Sequence, residues 1–466
     1  MSLAIEVEAL EVHAGATRLV GPIDLSLGQG ESLTIMGETG AGKSLLAQAI
    51  LGALPKGLRA EGRIAIAGRR VDGLPPEERA AFWGRGITLL PQEPWEALDP
   101  LMRAATQVRE THRLVAGRSA AEARRGTTDD FTALGLSGAE RRRPTALSGG
   151  MAQRVAFAAA RAGGAPILLA DEPTKGLDAE RISAVIDLLG AVPASGGALL
   201  VITHEIAVAR RLGGRVVMLK EGRVVEQGPA ETVLSRPRSA YGQALLAAAP
   251  ENWAPPSTPP QGEEVLAAEA LTVARGGRPL IKGLDWSLQG AERVAVVGPS
   301  GVGKTSLLDV LAGLLPPAAG RVRRAAAVGR LGVQKLYQEP PAAFPPRLSL
   351  GQSLRDVARL HDIDWSVTLR LLQDLGVDTA LLERRPDSVS GGELQRIALA
   401  RVLSISPAVL LADEPTSRLD PITQAETMQL IAETAARAGT AVVLVTHDRV
   451  IADRWAGRQI ELAPAM

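Results

Sequence analysis

Five short stretches of this chain occur twice in the same order, and this internal repeat constrains the fold more than any other feature. "GETGAGKS" at Gly37–Ser44 returns as "GPSGVGKT" at Gly298–Thr305, 261 residues later. "LLPQEP" at Leu89–Pro94 returns as "KLYQEP" at Lys335–Pro340, "LSGGMAQR" at Leu147–Arg154 as "VSGGELQR" at Val389–Arg396, and "VITHE" at Val201–Glu205 as "LVTHD" at Leu444–Asp448. "LLADEPT" is repeated letter for letter, at Leu168–Thr174 and Leu410–Thr416. A chain of 466 residues built this way folds as two copies of one domain. The offset falls from 261 to 246 between the first two motifs, so the second copy has lost a turn and a peripheral strand there. The Pro-rich stretch "PENWAPPSTPPQGEE" between the copies reads as an extended linker. It sets a first domain at 1–250, a linker at 251–264 and a second domain at 265–466.

Each copy contains short apolar runs that end in a functional residue. "SLTIMG" and "RVAVVG" open a Gly-rich loop, "ILLADE" and "VLLADE" end in acid, and "ALLVITH" and "AVVLVTH" end in His. Uninterrupted apolar strands suit a parallel sheet buried on both faces, and functional groups at strand carboxyl ends follow the ligand-site rule for such sheets. The fold class is therefore α/β in both halves.

The pattern G-x-x-x-x-G-K-[ST] between strand and helix makes a phosphate cradle, because glycines let backbone N–H groups turn inward beside a helix N-terminus. The expected phosphate-binding residues are Gly37, Gly40, Gly42, Lys43 and Ser44, and Gly298, Gly301, Gly303, Lys304 and Thr305. Lys43 and Lys304 reach the β- and γ-phosphates, and Ser44 and Thr305 hold Mg²⁺. "LLADEPT" brings Asp171 and Asp413 to the metal shell. Glu172 and Glu414 follow, and alternation along a strand lets one acid serve the metal while its neighbour polarises the attacking water. The alternative, an N-cap pair opening a helix at Pro173, is the blander reading. Ser148-Gly149-Gly150 and Ser390-Gly391-Gly392 open helices whose bare N-termini can approach a γ-phosphate, and a plain Ser N-cap is compatible with that.

Composition narrows the classes. The chain has no Cys, which excludes disulfides, thiolate metal sites and a cysteine nucleophile. Its formal net charge of +1 gives no global field toward nucleic acid or an anionic membrane. "RRRP" at Arg141–Pro144 has no interleaved aromatics and reads as a solvated face, so no nucleic-acid partner is expected. The N-terminus lacks the basic and apolar regions of a signal peptide, and no run of 18 apolar residues occurs, so work at a membrane would require docking to another protein. Lysine is scarce, seven among 52 basic residues, which makes the place of each one worth attention.

In this order the motifs resemble the ATP-binding cassette (ABC) ATPase family over nearly the whole chain, in two copies. The resemblance implies two tandem P-loop NTPase domains, each a mainly parallel sheet core with a helical subdomain and a peripheral antiparallel β part. It also implies ATP and Mg²⁺ as cofactors, and two ATP sites formed by intrachain pairing of the domains. Lys43 would face Ser390, Gly391 and Gly392, and Lys304 would face Ser148, Gly149 and Gly150. It implies that His204 and His447 contact the γ-phosphate and that Gln92 and Gln338 link Mg²⁺ and the attacking water to a transmembrane partner. Asp178 and Asp420 match the loop that crosses the domain interface. The family's adenine-stacking aromatic is missing: "LEVHAGATRL" offers His13, and "LTVARGGRPL" offers Ala274 or Arg275. Ala152 stands where the first signature usually carries a basic residue. All catalytic positions are filled, so two hydrolysis-competent sites are expected.

"PQEPWEALDP" and the tail "GRVVEQGPAETVLSRPRSAYGQALLAAAP" resemble ATPases of dipeptide, oligopeptide and nickel importers. That resemblance implies two permease subunits docked on Trp95–Pro100 and Pro341–Arg347, and an extracytoplasmic solute-binding protein. It places the chain on the cytoplasmic face of the inner (plasma) membrane. The iron–sulfur segment common in that subfamily is ruled out by the absence of Cys. The rival reading is a soluble tandem ABC ATPase acting on ribosomes or nucleic acid. Such proteins typically carry a long charged linker or zinc-binding insertions, and neither is present here. A non-hydrolysing ABC pair is a third option.

Overall fold

The structure, a computed structural model, describes residues 2–463 apart from 93–96, 175, 176, 178, 257–261, 300 and 418. The chain divides into two compact units, Met1–Leu246 and Ala247–Met466.

In the first unit a six-stranded sheet runs in the order Arg223–Pro229, Arg215–Lys220, Ser32–Gly37, Ala198–Ile202, Ile167–Asp171, Ile87–Leu90. All pairings are parallel except the outer hairpin, 215–220 with 223–229. In the second unit a five-stranded parallel sheet has the corresponding order, given from the opposite edge: Val333–Leu336, Val409–Asp413, Ala441–Val445, Arg293–Val297, Arg458–Glu461. Each unit adds an antiparallel sheet built on a long hairpin, Leu3–Ala14 with Thr17–Gly28 and Glu264–Arg275 with Arg278–Gln289. The first of these sheets has four strands and the second three. The short strand Arg69–Arg70 and the helix Pro76–Ala80 have no counterpart among the described residues of the second unit. That is where the sequence offset contracts.

The central strands are buried on both faces, as their unbroken apolar sequences require. Period-2 alternation then sorts their side chains into two cores. In the second unit Val409, Leu411, Val443 and Val445 face a core shared with Leu307, Leu308 and Leu311 of the helix Lys304–Ala312. Leu410, Ala412, Val442 and Leu444 face the opposite core, with Leu354, Leu372, Ile397 and Ile431 of four helices. The first unit repeats the division, with Leu169 and Leu200 on the side of the helix Lys43–Leu51 and Leu168 and Leu199 on the helical side. This is the α/β class read from the sequence, with the helical and antiparallel parts that the family resemblance implied.

The Pro-rich connection departs from an extended linker at its start. Pro250–Asn252 forms a single 3₁₀ turn, and Trp253 donates its indole N–H to the Ala248 carbonyl at 2.9 Å. Trp253 packs against the helical-side core of the second unit, so the unit boundary falls at Leu246/Ala247, ahead of the Pro-rich stretch. A large indole finds apolar surface to cover, and that outweighs the extended preference of the flanking prolines.

Candidate active site

The site in each unit is assembled at the carboxyl end of the parallel sheet. The Gly-rich loops leave the strands Ser32–Gly37 and Arg293–Val297 and enter the helices Lys43–Leu51 and Lys304–Ala312. Gly42 and Gly303 sit at φ 92° and 110°, a region costly to any residue with a Cβ, and this turn aims the first helical N–H groups into the loop. Gly40 and Gly301 are also left-handed, and a Cβ on Gly37 would stand 2.5 Å from the Leu219 carbonyl. The lysines curl over their loops: Lys43 Nζ donates to the Gly37 and Glu38 carbonyls at 2.7 and 2.9 Å, and Lys304 Nζ to the Gly298 and Pro299 carbonyls at 2.8 and 3.1 Å. Ser44 and Thr305 stand exposed in the first helical turns.

Alternation along the strand Val409–Asp413 puts Asp413 on the same face as Leu411, toward the loop helix. There it accepts a hydrogen bond from Thr305 Oγ1 at 3.2 Å. A hydroxyl and a carboxylate brought together at a phosphate cradle form a hard oxygen donor set, which suits Mg²⁺. Burial pushes the Asp413 carboxyl above its ordinary value, and the Lys335 ammonium and the Thr305 hydroxyl counter that push.

The neighbouring glutamates correct one expectation. Strand alternation does not separate Glu172 and Glu414 from the aspartates, because both strands end at the aspartate. Glu172 and Glu414 lie outside the strands at φ 47° and 43°, in the left-handed region that a residue of this size rarely adopts. Such a conformation costs on the order of 1–3 kcal/mol and persists only where its surroundings hold it. Here the backbone N–H of Glu172 is fixed by the Ile202 carbonyl at 2.8 Å and that of Glu414 by Val445 at 3.0 Å. The strand stops before the Pro, and no helix opens at Pro173; the next helix begins at Ala179.

The histidines meet these glutamates. His204 Nδ1 lies 2.9 Å from Glu172, and His447 Nδ1 lies 3.4 Å from Glu414. Burial pulls the His204 imidazole down, but the Glu172 carboxylate holds it above its ordinary value. The hydrogen bond to Glu414 raises His447 in the same way. Burial pushes Glu414 up, and the His447 partnership more than offsets it, leaving the carboxyl below its usual range. Gln338 Nε2 donates to Glu414 Oε2 at 3.1 Å. Gln92 lies half-buried just past the strand Ile87–Leu90.

The signature serines are set on a different element. Ser148 and Ser390 are N-caps of the helices Gly149–Arg161 and Gly391–Leu403, accepting from Met151 N and Glu393 N at 3.3 Å each. Gly149, Gly150, Gly391 and Gly392 form the first turns. Ala152 is buried in the helical-side core, and so is its counterpart Leu394, so an apolar residue is what this position takes. Asp420 caps the helix Pro421–Ala438 through Thr423, whereas Asp178 lies outside the described residues. Trp95 of the expected docking segment also lies outside them, and Phe344 of the other segment is buried in the helical-side core. His13 is held 2.9 Å from Glu11.

Two interactions at the site are not legible in the sequence motifs. Gln153 Nε2 donates to the Pro173 carbonyl at 2.8 Å, tying the signature helix to the turn after Glu172. Lys335 is buried against Asp413, with Nζ 3.1 Å from Oδ2, and donates to Asp309 Oδ1 at 2.7 Å. Lysine scarcity was the signal for the second; the first left none.

A glycine cradle with its lysine, a hydroxyl and two acids at one strand end, and a histidine on the second acid define a P-loop ATPase cassette, written twice. A family model described as "ABC transporter" matches residues 20–175 and 281–417. The chain belongs to this family, and it is an ATP-binding ATPase. The peptidoglycan transport ATP-binding protein YejF of Agrobacterium fabrum strain C58 is 32% identical, covering 97% of this chain and 90% of the relative. The glutathione import ATP-binding protein GsiA of Escherichia coli K12 is 28% identical, covering 95% and 82%. Among solved structures, the RNase-L inhibitor matches with a TM-score of 0.64 at 20% identity over 97% of this chain and 87% of that one, a likeness of fold. No described helix is long and apolar enough to cross a membrane.

Proposed function

We propose that this chain is the ATP-hydrolysing, energy-coupling subunit of an importer for peptides, nickel or a related small solute. It works on the cytoplasmic face of the inner membrane with two transmembrane permeases, which receive solute from an extracytoplasmic binding protein. The observation that carries this reading is the likeness to a transport ATP-binding protein over 97% of the chain, so that both cassettes are included. Peptidoglycan and glutathione, in the names of two relatives, favour a peptide-like cargo.

In this reading Lys43 and Lys304 bind the β- and γ-phosphates with the loop N–H groups. Ser44 with Asp171, and Thr305 with Asp413, hold Mg²⁺, aided by Gln92 and Gln338. Bound Mg²⁺ supplies charge neutralisation on the phosphates. Glu172 and Glu414 accept a proton from water as its oxygen bonds to the γ-phosphorus and the bond to the β–γ bridging oxygen breaks, releasing ADP and phosphate. His204 and His447 hold these carboxylates and reach the γ-phosphate. The signature turns 148–150 and 390–392 complete the site on the opposite cassette through their helix N-termini.

Docking on residues 95–100 and 341–347 gives the test. Replacing the exposed Ala97, Asp99 and Pro100 by Gly or Ser, with the buried Leu98 kept, should leave ATP hydrolysis by the purified chain within about twofold, since surface changes away from the site perturb stability little. In cells, uptake of a labelled tripeptide should be lost. Unaltered uptake would remove the segment from the docking surface. Co-sedimentation of the wild-type chain with ribosomes, with no permease bound, would instead favour the soluble-factor reading.

A further inference from the structure

The turn that carries Glu172 is gripped from two sides. Gln153 Nε2, on the signature helix Gly149–Arg161, donates to the Pro173 carbonyl at 2.8 Å, and both residues are buried. The Thr174 hydroxyl donates to Glu205 Oε1 at 2.6 Å, the length of a charge-assisted bond, and Thr174 is buried as well. Glu205 directly follows His204, whose Nδ1 lies 2.9 Å from Glu172. Glu172 and Thr174 are therefore bonded to two consecutive residues past the strand Ala198–Ile202. These ties hold the left-handed backbone at Glu172, which persists only where its surroundings fix it.

Among the described residues of the second cassette neither tie is present. The residue after His447 is Asp448, whose shorter side chain turns back on its own helix and accepts from Val450 N and Ile451 N at 2.8 and 3.1 Å. Thr416 accepts from Gln424 Nε2 at 3.2 Å instead. Gln395, the counterpart of Gln153, is 1% exposed, and neither end of its amide has a hydrogen-bond partner among the described residues. Glu414 is held through its own carboxylate, by Gln338 at 3.1 Å and His447 at 3.4 Å. We propose that Gln153 and Glu205 are positioning residues for Glu172, and that the second cassette places Glu414 without their counterparts. This role rests on reading Glu172 as the general base. A base aimed through its backbone turn loses its aim when either tie is cut, and a misplacement of about 1 Å can cost on the order of a hundredfold in rate. Gln153 and Glu205 act through Glu172, and neither accepts the proton.

The test is ATP hydrolysis by the full chain carrying E414Q, which leaves the first cassette alone to turn over. Added to it, E205D and Q153L should each lower kcat at least about tenfold, while the dissociation constant of a fluorescent ATP analogue changes less than about threefold. A merely structural role would move both together. E205D installs the second cassette's acid, which can cap the helix Ile206–Leu212 as Asp448 caps its own, so the variant should fold. E205Q keeps an acceptor at the original reach and should bring kcat back to within about threefold of E414Q alone. Q395L, added to E172Q, should leave the second cassette's kcat within about threefold, because it removes an amide without a protein partner. If either parent is silent by itself, the cassettes turn over together, and the same ratios are read in the otherwise wild-type chain. An undiminished kcat in E205D would overturn the proposal, and that result is decisive even if Q153L does not fold. Equal losses in Q153L and Q395L would overturn it too. E172Q/E414Q hydrolysing ATP as fast as E414Q would overturn the general-base reading itself, whatever E205D does.

Discussion

Replacing both Glu172 and Glu414 by Gln should lower ATP turnover by a factor of about 10²–10⁴, the range a positioned general base supplies, while ATP still binds. Each glutamate is held at a strained backbone position by a sheet hydrogen bond, with a histidine on its carboxylate. Gln has the same shape, so the turn and its partners survive. What it lacks is a carboxylate to take the proton from water. The expected readout is loss of phosphate release with ATP retained on the folded chain. Hydrolysis at the wild-type rate in the double variant would remove both residues from the general-base role. The single variants then apportion turnover between the cassettes.

Changing Lys43 and Lys304 to Ala should act on binding. Each ammonium is already oriented by two loop carbonyls, so little ordering remains when phosphate arrives. A hydrogen bond from a charged donor is worth about 1.5–3 kcal/mol, which corresponds to roughly 10- to 150-fold in dissociation constant per site. Equilibrium titration with a fluorescent ATP analogue measures it. Loss in the double variant at both sites is expected; unchanged affinity would place the phosphates elsewhere.

The sheet core was legible because its strands are unbroken apolar runs that end in chemistry-bearing residues. Burial on both faces leaves no other use for "ILLAD" or "AVVLV". The phosphate loops were legible because glycine spacing encodes backbone geometry directly. The placement of Glu172 and Glu414 was not, since nothing in "ADEPT" announces that the strand ends one residue before the glutamate and that this residue turns left-handed. That conformation is imposed by the neighbouring strands, through Ile202 and Val445. Trp253 was hidden for a similar reason: packing against the second unit's core overrode a local Pro-rich signal. Lys335 stood in plain sight within "KLYQEP", yet its meaning depends on register with Leu411 and on Asp309 of a helix 26 residues earlier.

We propose that one chain carries two cassettes that each bind ATP and pair with each other. The most direct measurement is the number of ATP molecules retained by E172Q/E414Q, counted after rapid desalting, together with its mass in solution under the same conditions. The prediction is two ATP per chain on a monomeric protein. One ATP per chain, or two only when two chains associate, would contradict it.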